Sequence, residues 1–233
     1  MADPDILFCE GPEDLAALRE WLKRRGCAPG RGAGTGPVGE ARKQSMTLGP
    51  HAFELRAVGG RPNLFKWPLE IRGKTDPPAR LALSFDPNGD GEPAWRRELF
   101  EKPWGPDLPP PSAGGSYLLA GTEIIPVPWQ ADVPVEFGLP DKHCLERLLV
   151  ASALAAHPEL RAPVQTFLAA VKDTGRSASW KTAARTLHAA LHPEVAIADL
   201  ASKVFGQNTA LWAKTQQLLA ASPTERGLEA FLR

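Results

Sequence analysis

Two sets of acidic residues in this chain directly follow short apolar segments. Glu10 comes after DILFC, and the DPNGDG segment that begins at Asp86 comes after RLALSF. If both apolar segments are parallel strands of one open sheet, their carboxyl ends meet at the same edge, where such folds bind ligands. Asp90 lies in a glycine-rich loop that allows it to turn back toward that edge. Converging carboxylates repel each other unless a cation lies between them, and hard oxygen ligands suit Mg²⁺ or Mn²⁺.

The DPNGDG segment also admits other interpretations. Asp, Asn and Gly favour a solvated turn on their own account. An EF-hand calcium loop would need a bidentate glutamate at its twelfth position, which is Arg97 here. A phosphatase with an aspartate nucleophile would use a second aspartate two residues after the first, and that position is Asn88. The calcium and phosphatase interpretations are therefore disfavoured, whereas the solvated turn is kept as an alternative.

Local patterns predict the elements that position these acids. DILFC predicts a strand, and PEDLAALREWLKRRG predicts a helix because leucines recur at three- and four-residue steps between Pro12 and Gly26. Further strands are predicted at AFELRAVGG, RLALSF and YLLAGTEIIPVPW, with a helix at EPAWRRELFEK. The segments CAPGRGAGTGPVGEARKQS and GPDLPPPSAGGS are predicted to be loops because they are rich in Gly, Pro and Ser.

The remainder of the chain is rich in Ala and Leu and predicts mainly helices. Their approximate bounds are residues 141–156, 159–172, 178–191, 194–205, 208–221 and 223–232. In the first 140 residues, strands alternate with helices, which is typical of a doubly wound, mostly parallel sheet. The sequence therefore predicts an α/β domain over residues 1–140 and a helical C-terminal region over residues 141–233.

The composition is that of a globular protein and argues against several functional classes. The formal net charge is zero, so the chain does not carry the general positive charge of a non-specific nucleic-acid binder, although a local basic path is allowed. No apolar run approaches the roughly 18 residues of a membrane span, and the N-terminal residues lack the layout of a secretion signal. The three cysteines form no CxxC pair, which favours reduced thiols in a cytoplasmic protein that does not act at a membrane.

Several segments resemble the motifs of the Toprim domain family. ILFCEGPEDLAAL resembles the first motif, an apolar strand followed by Glu–Gly and an acidic helix start, and RLALSFDPNGDG resembles the second, in which a strand runs into Asp-x-Asp. AVGGRPNL resembles the Gly–Gly turn of smaller Toprim-like proteins, and IIPVPWQADVPVEFGLPDKHCLERLL is similar to a stretch of OLD-type and related bacterial Toprim proteins. The resemblance covers residues 4–150 and implies a Toprim-like fold with a helical C-terminal extension.

What the resemblance implies about function is a Mg²⁺- or Mn²⁺-dependent nuclease that hydrolyses phosphodiester bonds of DNA or RNA. Glu10 corresponds to the family's first-motif glutamate, which would position the metal or act as general acid or base. Asp86 corresponds to the metal-binding aspartate of the second motif. The motif's second aspartate falls at Asn88, a weaker and neutral ligand, for which Asp90 would substitute.

A second metal ion would require further oxygen ligands. Glu13, Asp14 and Glu146 are the candidates, and an ordinary position on a helix surface is the simpler interpretation of Glu146.

Basic residues at the end of the first predicted helix and in the following loop are candidates for contacts with nucleic-acid phosphates. The alternative is a solvated helix end and loop. The set comprises Lys23, Arg24, Arg25, Arg31, Arg42 and Lys43.

Two functions from different classes follow from these observations. The first is a Toprim-type nuclease, which by family analogy would be the effector subunit of a larger assembly with a protein partner such as an ATPase. The second is an inactive Toprim-like module that binds a protein partner through its helical half. Divalent-metal binding and metal-dependent cleavage distinguish them.

Overall fold

Seven strands in the described residues form one mixed sheet. The computed structural model describes residues 4–30, 43–64, 66–71, 73–88, 92–102, 105, 108–133, 137–191 and 209–233. The strand order is β2-β3-β4-β1-β5-β7-β6, and the four central strands β4, β1, β5 and β7 run parallel while the outer strands pair antiparallel. The strands are β1 (Asp5–Cys9), β2 (Ala28–Pro29), β3 (Lys43–Leu48), β4 (His51–Ala57), β5 (Arg80–Phe85), β6 (Tyr117–Leu119) and β7 (Thr122–Pro128).

Helices cover both faces of this sheet. They are α1 (Pro12–Arg24), α2 (Arg61–Leu64), α3 (Trp67–Ile71), α4 (Glu92–Arg96), α5 (Leu145–Ala156), α6 (Arg161–Asp173), α7 (Trp180–Leu191), α8 (Thr209–Leu219) and α9 (Pro223–Leu232). A π-helical turn, Arg97–Glu101, continues α4, and a 3₁₀ turn, Pro158–Leu160, precedes α6. The predicted α/β class with a mostly parallel sheet is therefore confirmed. The predicted helix over 194–205 lies outside the described residues.

Side-chain alternation along the central strands divides the core into two layers. In β1, Leu7 and Cys9 belong to the layer that also contains buried residues of α1 and of the C-terminal helices. Ile6 and Phe8 point to the opposite face, where they join buried residues from α2, α3, α4 and β6. The sheet is thus the middle layer of an α/β/α arrangement.

The C-terminal helices share the core of the sheet. Leu228 and Phe231 of α9 and Leu148 of α5 belong to the same buried cluster as Leu7 of the central strand. The predicted division between residues 140 and 141 therefore does not coincide with a break in the described core.

The prediction of a loop over residues 27–45 is wrong at both of its ends. Residues 28–29 form β2 and residues 43–45 begin β3, which pairs antiparallel with β4 from Lys43 opposite Arg56 to Leu48 opposite His51. Only Met46 of β3 is buried. The segment therefore lacks the repeated apolar residues that identify a strand in a sequence, and pairing with β4 makes it one.

No helix in the described parts of the chain is long and apolar enough to cross a membrane. The cysteines, Cys9, Cys27 and Cys144, are free and buried.

A charged network joins the amino-terminal edge of the sheet to the last helix. Asp5 is buried, and its carboxylate accepts the backbone N–H of Arg80 at 2.8 Å, the Arg80 Nε–H at 2.9 Å and a 2.9 Å contact from His51 Nε2. Arg80 Nη1 donates to the carbonyl of Phe231 at 2.8 Å. The Asp5 carboxylate thus serves β1, β4 and β5, and Arg80 extends the network to α9.

Replacing Asp5 by Ala is expected to lower the free energy of unfolding by about 3 kcal/mol, because Arg80 and His51 lose their shared acceptor in a mostly buried setting. Urea denaturation followed by circular dichroism measures the change. Asp173→Ala, which alters an exposed acid at the end of α6, is the matched control and is expected to change stability by less than about 0.5 kcal/mol. Equal stability of the two variants would contradict this role of Asp5.

Candidate metal centre

The structure brings the two predicted acid sets together at the carboxyl edge of the sheet. Strands β1 and β5 are parallel neighbours, with Cys9 opposite Ser84 in the register. Glu10 follows the first strand directly and Asp86 follows the second. The backbone N–H of Asp86 donates to Glu10 Oε1 at 3.1 Å, so the two residues are in direct contact.

A pocket of about 390 Å³ lies at this edge, and five acids are among the residues that line it. Its walls are the start of α1, the turn between β4 and α2, the start of α5 and one residue of α7. The lining side chains that carry charge are Glu10, Glu13, Asp14, Asp86, Glu146 and Lys181. The C-terminal helices therefore contribute directly to the pocket.

Asp86 is held against the amino terminus of α5. Its Oδ1 accepts the backbone N–H of Leu145, the first residue of that helix, at 3.0 Å. A carboxylate in this position satisfies a helix N–H that has no partner inside the helix and lies at the positive end of the helix dipole. Burial and the charges of Asp14 and Glu146 nevertheless raise the pKa of Asp86 well above its ordinary value.

Asp14 is a second, half-buried carboxylate in the wall of the pocket. Its Oδ2 accepts the backbone N–H of Gly11 at 3.0 Å, and its Oδ1 accepts the indole N–H of Trp129 at 2.9 Å. These two hydrogen bonds fix the carboxylate at the start of α1. Burial, reinforced by the charges of Glu10 and Glu146, raises the pKa of Asp14 to about 7.

The Glu10 carboxyl group is less buried than those of the two aspartates and lies near both positive and negative side chains. Burial raises its pKa above the ordinary value, while the hydrogen bond from Asp86 N–H and the nearby guanidinium of Arg61 oppose the shift. Glu146 acts in the same direction as burial. For Glu10, Asp14 and Asp86, burial is thus the main cause of the raised pKa, and nearby carboxylates add to it.

Two cations approach the acids from different elements. Lys181 of α7 places its Nζ 3.1 Å from Glu13 Oε2 and 4.0 Å from Glu146 Oε1. Arg61 of α2 donates to the backbone carbonyl of Asp86 at 2.6 Å and to Glu98 at 2.7 Å. Arg61 thereby fixes the backbone at the end of β5 rather than binding the Asp86 carboxylate.

The donor set fits a hard divalent cation that keeps part of its hydration shell. Within the described ranges, no three His, Cys, Asp or Glu side chains form a ready group of metal ligands. Mg²⁺ is commonly bound through one or two carboxylates, with water and substrate oxygens completing its coordination. Glu10 and Asp86, already in contact at one edge of the pocket, are the pair that fits this pattern, and a cation would offset the burial and the neighbouring negative charges that raise their pKa values.

The second acid motif is only partly placed in the pocket. Asp90 lies outside the described residues. Asn88 does not line the pocket; it has a φ of 60°, and its backbone N–H donates to the His143 carbonyl at 3.2 Å. Asn adopts this left-handed conformation more readily than most residues, so its conformational role in the turn explains the residue without a ligand role.

The predicted phosphate-contacting residues are divided between two edges of the sheet. Helix α1 begins at the carboxyl edge and runs back for 13 residues, which places its last turn ~20 Å from the pocket. There Lys23 binds Glu20, Arg25 pairs with Glu225 and Glu229, and Arg24 lies over the Trp212 ring. Lys43, at the start of β3, lies near the carboxyl edge instead. Arg31 and Arg42 lie outside the described residues.

The sequence does not identify three residues that contact the acids of the pocket, of which only Lys181 lines the pocket itself. Lys181 lies far from every acid motif in the sequence, and Trp129 reads as an ordinary core aromatic. Arg61 follows the Gly–Gly turn that the sequence predicts. Its hydrogen bond to the Asp86 carbonyl forms only because β5 ends beside this turn in the folded chain. No local signal in the sequence identifies these contacts, because each of them joins elements that are distant in the chain.

The raised pKa of Asp14 predicts that stability without divalent cations falls as the pH rises. In the unfolded chain Asp14 loses its proton near its ordinary value of 3.8, whereas in the folded chain it does so near 7. Between these values the folded state holds a proton that the unfolded state has released. The contribution of Asp14 to the free energy of unfolding is therefore fully present below about pH 4 and declines toward pH 7 by up to about 1.4 kcal/mol per pH unit.

Urea unfolding in EDTA at a series of pH values between 4 and 8 measures this slope. Asp14→Ala is expected to flatten it, even though loss of the two hydrogen bonds lowers stability at every pH. Asp173→Ala, at an exposed position, is expected to leave it unchanged. The assignment fails if wild type and Asp14→Ala show the same slope.

Comparisons with known proteins bear on the fold alone. No family model matches the chain, and no curated protein matches it. The chain is similar in structure to hypothetical protein PH0156 from Pyrococcus horikoshii OT3, with a TM-score of 0.71, 15% sequence identity, and coverage of 99% of this chain and 100% of that chain. The likeness therefore extends over the α/β sheet and the C-terminal helices together.

Proposed function

We propose that this protein is a divalent-metal-dependent nuclease that hydrolyses phosphodiester bonds of DNA or RNA. The observation that carries the proposal is the contact between Glu10 and Asp86 at the ends of two adjacent parallel strands, inside a pocket where both carboxyl groups have raised pKa values. The motif resemblance to Toprim domains names the reaction, and the acidic pocket supports only the cation that this reaction would use.

In this proposal Glu10 and Asp86 hold Mg²⁺ or Mn²⁺, with Glu146 near enough to affect their charge. The bound ion supplies Lewis-acid stabilisation of the phosphoryl oxygens and lowers the pKa of a coordinated water. Glu10 is the less buried of the two, and among the described residues only its Oε1 accepts a hydrogen bond. Its other carboxylate oxygen would exchange a proton with the attacking water or with the leaving oxygen. Asp86 remains fixed by the Leu145 N–H.

A second candidate function is an inactive module that binds a protein partner. One observation favours it: Lys181 already lies between Glu13 and Glu146, so part of the negative charge of the pocket is balanced without a metal. This candidate predicts a folded protein with no divalent-metal binding at the pocket.

Cleavage assays distinguish the two candidates. The purified chain is incubated with end-labelled single- and double-stranded DNA and RNA in Mg²⁺, Mn²⁺ or EDTA, and the products are resolved by electrophoresis. The nuclease proposal predicts cleavage of at least one substrate with metal and none in EDTA. Absence of cleavage on every substrate, together with no heat of Mn²⁺ binding in calorimetry, would overturn it and favour the binding module.

A further inference from the structure

A second pocket, of about 400 Å³, lies on the opposite face of the sheet from α1. We call it the aromatic pocket; it lies between β4 and the helices α2 and α3. The turn that follows β4 separates it from the acidic pocket, because Val58 lines the aromatic pocket while Gly59 and Gly60 line the acidic one. The two cavities are therefore distinct neighbours.

Two stacked rings form the apolar part of the aromatic pocket. Phe8 of β1 is fully buried, and its ring centroid lies 4.6 Å from that of Trp67, with 23° between the planes. Trp67 is only half-buried. The Phe8 ring supports the Trp67 indole, and the indole also lines the cavity. An aromatic ring held in this way can stack against a planar ligand.

Cations on β3 and β4 form the wall beside Phe8. Arg56 lies with its guanidinium carbon 5.9 Å from the Phe8 ring centroid and donates from Nε to Glu54 at 2.7 Å. Lys43 also binds Glu54, with its Nζ 2.6 Å from Oε1. One carboxylate therefore serves two cations, and this wall keeps a net positive charge.

The rim of the aromatic pocket carries both a positive and a negative side chain. Lys66 is exposed and contacts the Asn63 side chain at 3.4 Å. Glu70, also exposed, lies on the next helix. Lys66 adds to the positive charge, while Glu70 offers an acceptor for amino or hydroxyl groups.

We propose that the aromatic pocket binds a nucleotide. A base stacks on Trp67, the phosphate lies against the cations of the β3–β4 wall and Lys66, and Glu70 accepts a hydrogen bond from the base or the sugar. The cavity lies within the range of about 300–1,000 Å³ that is usual for small-ligand sites, and an aromatic surface with a few charged groups is the usual composition for a nucleotide. This proposal goes beyond the nuclease function, since it requires neither a metal nor hydrolysis.

The nucleotide has two possible sources, a free mononucleotide or one unit of a single-stranded nucleic acid, and binding measurements in EDTA distinguish them. Isothermal titration calorimetry is performed with adenosine and guanosine monophosphates, and with a single-stranded oligonucleotide of six residues. Saturable binding of a mononucleotide with affinity equal to the oligonucleotide indicates a free nucleotide. Binding of the oligonucleotide that is tighter by about tenfold or more, with competition by the mononucleotide, indicates a nucleic-acid strand.

Substitutions test whether the ligand lies in this pocket. Trp67→Ala is expected to weaken binding by roughly five- to one-hundredfold, and Trp67→Phe, which keeps a stacking ring, by less than about threefold. Lys66→Glu is expected to weaken binding several-fold, whereas the charge-matched control Lys102→Glu, at an exposed residue that lines neither pocket, is expected to leave it unchanged. If Trp67→Ala fails to fold, Trp67→Phe and Lys66→Glu carry the test.

The proposal would be overturned if neither ligand showed saturable binding at millimolar concentration. It would also be overturned if Lys66→Glu and Trp67→Ala bound the ligand with the affinity of the wild type. These titrations contain EDTA and therefore do not depend on a metal. A failure to bind nucleotide would leave the nuclease proposal standing, and a failure to cleave nucleic acid would leave the nucleotide proposal standing.

Discussion

Asp86→Asn and Glu10→Gln are each expected to reduce metal-dependent cleavage by at least about a hundredfold. A metal ion at a phosphoryl group stabilises the transition state by several kcal/mol, and each substitution removes a charged ligand. Both replacements keep the oxygen that accepts a hydrogen bond in the folded chain, from Leu145 N–H in one case and from Asp86 N–H in the other. The loss therefore reports on the carboxylate charge rather than on the local structure.

Stability provides the internal control for these two variants. Since burial, with the charges of nearby acids, raises the pKa values of both carboxyl groups, removing one charge in EDTA is expected to leave the melting temperature unchanged or to raise it. Glu101→Gln, at an exposed position with 58% of its side chain accessible, is expected to change neither activity nor stability. Activity of Asp86→Asn and Glu10→Gln within threefold of wild type would contradict their proposed roles.

The second large effect is expected at Gly227, where α9 meets β7 without room for a side chain. A Cβ at this position would overlap the carbonyl oxygen of Pro126 and lie 3.1 Å from Val127 Cγ2. The obstacle is the backbone of a central strand, which cannot rotate away as a side chain can. Gly227→Ala is therefore expected to destabilise the fold by about 3 kcal/mol, although Ala ordinarily stabilises a helix relative to Gly by about 1 kcal/mol.

Chemical denaturation of Gly227→Ala measures this effect directly. The matched control is Gly114→Ala, since a Cβ there meets no atom closer than 3.7 Å and the backbone φ is not in the left-handed region. The control is expected to change the free energy of unfolding by less than about 0.5 kcal/mol. A Gly227→Ala protein as stable as wild type would show that α9 does not pack against β7 as described.

This packing has a consequence for the acidic pocket. Thr224 of α9 donates to the carbonyl of Pro128 at 2.6 Å and accepts the backbone N–H of Gln130 at 2.9 Å. Between these two residues lies Trp129, whose indole N–H binds Asp14. The last helix thus holds the end of β7 in the position from which Trp129 fixes a carboxylate of the pocket.

The sequence was sufficient to predict the elements that carry Glu10 and Asp86, because the evidence for them is local. Four consecutive apolar residues, Ile6 to Cys9, precede Glu10, and the five residues before Asp86 are apolar except for Ser84; both runs indicate strands regardless of their partners. The alternation with helices then predicts a parallel sheet, and the common edge of that sheet predicts that the two acids lie close together.

The surroundings of these acids could not be predicted, because they depend on tertiary contacts. Burial of Asp14 requires Trp129, which lies 115 positions away along the chain, and the positive charge near Glu146 comes from Lys181. The role of Asn88 is similar: its φ and its hydrogen bond to His143 appear only when the loop after β5 meets the segment before α5. Residue types alone indicated a weakened ligand, whereas the structure gives Asn88 a place in the turn.

Crystals soaked in Mn²⁺, with anomalous difference density collected at the manganese absorption edge, test the central claim most directly. The account predicts a peak within about 2.5 Å of carboxylate oxygens of both Glu10 and Asp86, and loss of that peak in crystals of Asp86→Asn. A fully soaked crystal with no peak in the acidic pocket, or with manganese bound only to other acids, would contradict the claim that these two residues form a metal site.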